Sequence, residues 1–109
     1  MKYWVSFRAE ARDDLEAALS YFSSFSIRNQ HLFVFDFENR IEQLQDFPES
    51  HQKIHQDVRR TLLHRFSYAI YYRVHVQSET IEIIAIFDAR RDPESWKGRL
   101  EYLSKSRED

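Results

Sequence analysis

Cysteine is absent from this chain, glycine occurs once and proline twice in 109 residues. The lack of cysteine excludes disulfides, thiol catalysis and thiolate metal sites. With a single glycine, the turns must be built from Ser, Asn, Asp and Pro, and long flexible linkers are not expected. No apolar run approaches the ~20 residues of a membrane-spanning helix. The first residues, Met1-Lys2-Tyr3-Trp4-Val5, enter a strand-like alternation without the apolar stretch of a signal peptide, so a cytoplasmic protein is expected. Cations are also too few for a general nucleic-acid glove, since the formal net charge is −2.

What is present is an ordinary globular balance, 42% hydrophobic and 31% charged, with 9 Phe, 6 Tyr and 2 Trp. One core fits this length, and such a chain buries about two thirds of its unfolded surface. The expected organisation is one domain over residues 1–103 with a charged tail at 104–109. The charges are segregated. Acids dominate from Glu10 to Asp46, whereas His51 to Val76 holds Lys53, Arg59, Arg60, Arg65 and Arg73 against the single acid Asp57. An acidic helical side and a basic sheet side follow from that placement.

Tyr3, Val5 and Phe7 alternate with Lys2, Ser6 and Arg8 as in a strand with one buried face. Ala11, Leu15, Ala18, Leu19 and Phe22 make an apolar helical stripe. A second helix, with Ser26 as N-cap and Val34, Phe37, Ile41 and Leu44 inward, ends at Phe47-Pro48. Residues 49–56 read as a polar loop. Three strands follow, at Val58–Leu63, Tyr68–Val76 and Thr80–Asp88. On the last, Ile81, Ile83, Ala85 and Phe87 share one face and Ile84 and Ile86 the other. Pro93, capped by Asp92, opens a short helix to about Leu103. The order β-α-α-β-β-β-α implies an α+β fold, with a helical hairpin on a mainly antiparallel sheet that ends in a three-stranded meander.

This order, together with the run from Val58-Arg59-Arg60 through His64-Arg65-Phe66-Ser67-Tyr68 to Tyr72-Arg73-Val74, resembles the RelE/ParE superfamily of type II toxins, or plasmid-stabilisation proteins. Arg90-Arg91-Asp92-Pro93 and Trp96 resemble the same group's ending, and the resemblance spans about Tyr3 to Trp96. It implies a toxin silenced by a cognate antitoxin. RelE-like members cut messenger RNA in the ribosomal A site, whereas ParE-like members inhibit DNA gyrase without cutting. No cofactor is implied.

RNA cleavage through the 2′-hydroxyl needs a proton acceptor, a proton donor and cations for the phosphate. Set against the nuclease pattern, Arg60 replaces a lysine and Arg90 matches an arginine. Leu62 and Ala69 stand where cations are expected, and Trp96 stands at the tyrosine position. An indole transfers no proton at neutral pH. The resemblance therefore favours the ParE branch, a gyrase inhibitor rather than an enzyme. A ribosome-dependent endoribonuclease using Arg60, His64 and Arg90 is the alternative.

His64 is also readable as a plain surface residue at a strand end. His51 and His55 are four apart, but they lie in a polar segment without a third ligand, so no metal is expected. The expected docking surface comprises Arg59, Arg60, Arg65, Tyr71, Arg73, Arg90, Arg91 and Trp96, with Trp4, Tyr71 and Trp96 off the core register. The arginines also have an ordinary reading as solvent-facing strand residues. A homodimer and a toxin–antitoxin hetero-oligomer are both compatible with the sequence. An exposed sheet beside apolar helix faces invites an added strand or an amphipathic helix, and antitoxin segments of acidic, disordered character suit a basic sheet.

Overall fold

The first alternating segment becomes β1 (Trp4–Phe7), followed by α1 (Ala9–Ser23) and α2 (Ile27–Asp46). The computed structural model describes residues 2–90 and 97–101. Ser26 caps α2, its hydroxyl accepting from the Asn29 N–H at 3.0 Å. Helix α2 stops at Asp46, just ahead of Phe47-Pro48. The strands that follow are β2 (Lys53–His55), β3 (Val58–Leu62), β4 (Tyr68–His75) and β5 (Thr80–Asp88).

These form one sheet in the order β1-β5-β4-β3-β2. Strands β2 to β5 are antiparallel to their neighbours, and β1 runs parallel to β5, pairing Trp4 with Thr80 and Phe7 with Ile83. Strand β2 falls in the segment read from the sequence as a loop. It is three residues long, polar at its ends, and closes on β3 through Gln56 at φ 52°. A glutamine in that left-handed region is uncommon, which is why no turn signal marked the hairpin.

The helices cover one face of the sheet. Phe33 is fully buried at the centre of that layer and meets Phe22, Phe37, Phe66 and Tyr68 at centroid distances of 4.9, 6.3, 5.5 and 5.3 Å. Such pairs add about 0.5–1.5 kcal/mol each beyond area burial. The opposite face buries Val58, Ala69, Tyr71, Ile84, Ala85 and Phe87 beneath Leu100, from a helical segment at 97–101. The expected cap and first turn of that helix, Asp92 and Pro93, lie outside the described residues.

The facing of β5 corrects the sequence-based alternation. A bulge opposite Tyr71 and Tyr72 skips Ile84 in the ladder. Ile81, Ile83 and Ile86 therefore join the helix-side core, while Ile84, Ala85 and Phe87 join the other. Past the end of β1, the Asp14 carboxylate of α1 accepts from the Ile86 N–H at 3.0 Å. It also accepts both arms of Arg99 at 3.0 and 3.1 Å. One carboxylate thus joins α1, an uncovered stretch of β5 and the C-terminal helical segment.

Candidate functional site

The β3–β4 turn carries His64, Arg65, Phe66 and Ser67. Its conformation is fixed from α2. Asp36 is buried, and its two carboxylate oxygens accept the backbone N–H groups of His64 at 3.2 Å and Arg65 at 2.8 Å. Asp36 stands between Phe33 and Phe37 on the apolar stripe of α2. An acid in that register must find partners, and two consecutive amides supply them. Asp36 is not among the residues expected at the site from sequence, although a carboxylate inside an apolar stripe is itself a signal.

Three clefts meet at Arg65. One lies between α2 and the turn, lined by Phe35, Asp36, Asn39, Arg40, His64 and Arg65. The second brings Leu62 and His64 to Ala89 and Arg90. The third joins Arg65 and Arg90 to Tyr21, Phe25 and Asn29 at the helical hairpin. Arg65 and His64 are exposed here. Arg90 is exposed too and forms a two-armed pair with Asp88 at 3.0 and 2.6 Å, which raises its pKa.

The other expected surface residues are dispersed. Arg59 and Arg60 are neighbours on one strand and so point to opposite faces. The Arg59 guanidinium donates to the carbonyls of His51 at 2.6 Å and Glu49 at 3.2 Å, tying the α2–β2 loop to β3. Arg60 lies across from Tyr71 on β4. Tyr71 and Arg73, expected on the surface, are buried, with Arg73 only 2% exposed. Tyr71 belongs to the core beneath Leu100, and the Arg73 Nε bonds Asp57 at 2.9 Å. Burial on both faces of a central strand is the reason. Trp4 does project outward, at 74% exposure. Arg91 and Trp96 lie outside the described residues.

The proton chemistry of the site is sparse. Burial pushes the Tyr71 phenol up, against the pull of Arg60. Burial likewise pushes Tyr72 up to about 12, and its hydroxyl donates to the Pro48 carbonyl at 3.1 Å. Neither phenol ionises near neutrality. His51 is lowered by burial and then by Arg40 and Arg59, and it contacts Thr61 and Gln43 at 3.2 Å each. Its neighbour at four residues, His55, lies on β2. Among the described residues no group of three His, Asp or Glu is placed to hold a metal. Leu62 pairs directly with Ala69 across β3 and β4. The two positions where a nuclease of the resembling superfamily carries cations are thus adjacent and apolar.

A single strand, a helical hairpin and an antiparallel meander beside a basic turn make a small α+β domain. The family model for the ParE toxin of the type II toxin–antitoxin system parDE matches residues 5–93. The chain belongs to that family. Among solved structures it is similar to the chromosomal ParDE toxin–antitoxin system of P. aeruginosa, with a TM-score of 0.69 and 18% identity over 82% of this chain and 98% of that one. It is also similar to a double mutant of E. coli toxin RelE in the free state, with a TM-score of 0.66 and 15% identity over 94% and 99% of the chains. The RelBE2 toxin–antitoxin complex of Mycobacterium tuberculosis matches at 0.56 and 20% identity over 81% and 99%. No curated protein matches the sequence significantly. Among the described residues no helix is long and apolar enough to cross a membrane.

Proposed function

We propose that this toxin inhibits DNA gyrase by binding it and is neutralised by a cognate antitoxin. The carrying observation is the Leu62–Ala69 pair. An apolar cross-strand pair gives a scissile phosphate no charge stabilisation. Binding needs none of that chemistry. The similarity to toxins solved with their antitoxins supports the antitoxin partner. The outer edge of β1, beside exposed Trp4, offers unpaired backbone groups to an added strand. The direct test is supercoiling by purified gyrase. The toxin is expected to stop it, with relief on adding the antitoxin. Unchanged supercoiling with no trapped cleavage complex refutes the reading.

One observation favours a second reading, a RelE-like ribosome-dependent endoribonuclease. His64 and Arg90 line the same cleft, so a proton-transfer group and a cation lie within one site. Toeprinting of a translated message separates the two. An A-site cut that disappears in Arg90→Ala establishes cleavage.

A further inference from the structure

The end of the molecule around the β3–β4 turn gathers Arg40, Arg65 and Arg90 at adjoining clefts. Among the described residues Arg8 pairs with Glu82, Arg59 with Glu49, Arg73 with Asp57 and Arg99 with Asp14, and at the tip Arg90 pairs with Asp88. Arg40 and Arg65 share one cleft of about 360 Å³, and neither has a carboxylate partner among the described residues. Arg40 donates to the neutral side chain of Gln43 at 3.0 Å. Asp36, the acid of that cleft, is committed to backbone amides.

Composition is the second distinction. The clefts meeting at Arg65 are lined by Phe, Tyr, Leu, Arg and small polar residues, with no lysine and no glutamate. Phe25 and Phe35 stand out at 64% and 59% exposure on either side. Aromatic residues and arginine without lysine or glutamate is the composition of protein–protein hot spots. Nucleic acid is the poorer fit. Asp36 and Asp88 flank the turn, and the chain as a whole is slightly negative.

We infer that this tip, with Arg65 at its centre and Phe25 and Phe35 at its rim, docks an acidic protein surface on the toxin's target. The partner patch presents carboxylates to Arg65 and Arg40 and an apolar side chain between the two phenylalanines. Asp36 is a positioning residue that holds Arg65 at the junction of the clefts. This rests on the toxin reading but not on gyrase being the target.

The test is growth arrest on inducing the toxin without antitoxin, for wild type, Arg65→Glu and Phe25→Ala, with Lys53→Glu as an equal charge change on β2. Thermal unfolding of each purified variant verifies folding. Wild type and Lys53→Glu are expected to arrest growth, and the two tip variants to lose more than about tenfold of the effect while still folded. Tip variants that arrest like wild type overturn the inference, as does a wild type that never arrests. Binding of a single-stranded RNA oligonucleotide at near-physiological salt, lost in Arg65→Glu, overturns it in favour of nucleic acid. If the tip variants lose arrest while wild type leaves gyrase supercoiling untouched, the docking surface stands and the gyrase assignment falls.

Discussion

Replacing Asp36 by alanine removes two acceptors from the β3–β4 turn at once. The Arg65 N–H bond at 2.8 Å is short and charge-assisted, and the His64 bond at 3.2 Å is longer and weaker. Hydrogen bonds to charged groups contribute about 1.5–3 kcal/mol each. The turn is partly in contact with water, which re-solvates some of what is lost, so about 3 kcal/mol in total is expected. For a domain of this size that lowers the melting temperature by about 10–20 °C. Asp36→Asn keeps one acceptor and turns an N–H₂ toward the second amide, so it should fall between wild type and alanine. Thermal unfolding followed by circular dichroism at neutral pH measures both. If Asp36→Ala melts within about 2 °C of wild type, the turn holds itself and the carboxylate is not its anchor.

Two further predictions concern stability. Glu82 is half-buried, which opposes its ionisation, but hydrogen bonds from His75 at 2.9 Å and Arg8 at 3.1 Å, with their charges, outweigh this and hold its pKa below the ordinary 4.5. The depressed value means that the stabilisation is complete above the unfolded pKa and lost as pH falls through the folded one. Urea midpoints should separate wild type from Glu82→Gln at pH near 7 and converge in the acid range, and a gap independent of pH contradicts this. Phe33→Ala should cost about 3–5 kcal/mol, a large share of a typical domain's stability. A loss under about 1.5 kcal/mol by urea unfolding would show that the aromatic layer collapses around the gap.

The legible parts of the fold were those written in periodic apolar spacing. Helix α1, α2 with its Ser26 cap and the three long strands follow from local pattern. Strand β2 did not, because three residues carry no period and its turn uses Gln56 rather than glycine or asparagine. The β5 bulge was equally silent, since an apolar residue at every position from Ile83 to Phe87 hides a slip of one. Of the expected surface residues Arg65 and Arg90 are exposed, whereas Arg73 and Tyr71, counted on an alternating strand's outer face, are buried. A central strand buried on both sides has no outer face. Asp36 is marked in the sequence only by its place inside an apolar stripe, since its partners are backbone amides 28 and 29 residues away.

The parallel pairing of β1 with β5 has a kinetic side. Strands β2 to β5 meet their neighbours through short hairpin connections, whereas Trp4 must wait for Thr80, with both helices and three strands synthesised between them. Closing so long a loop costs entropy before any contact repays it, and such pairings form late. The first strand made is thus among the last to be placed. A chain with β1 not yet in place would leave that flank of β5 open. A partner able to supply a strand there would compete with β1 for the same seat.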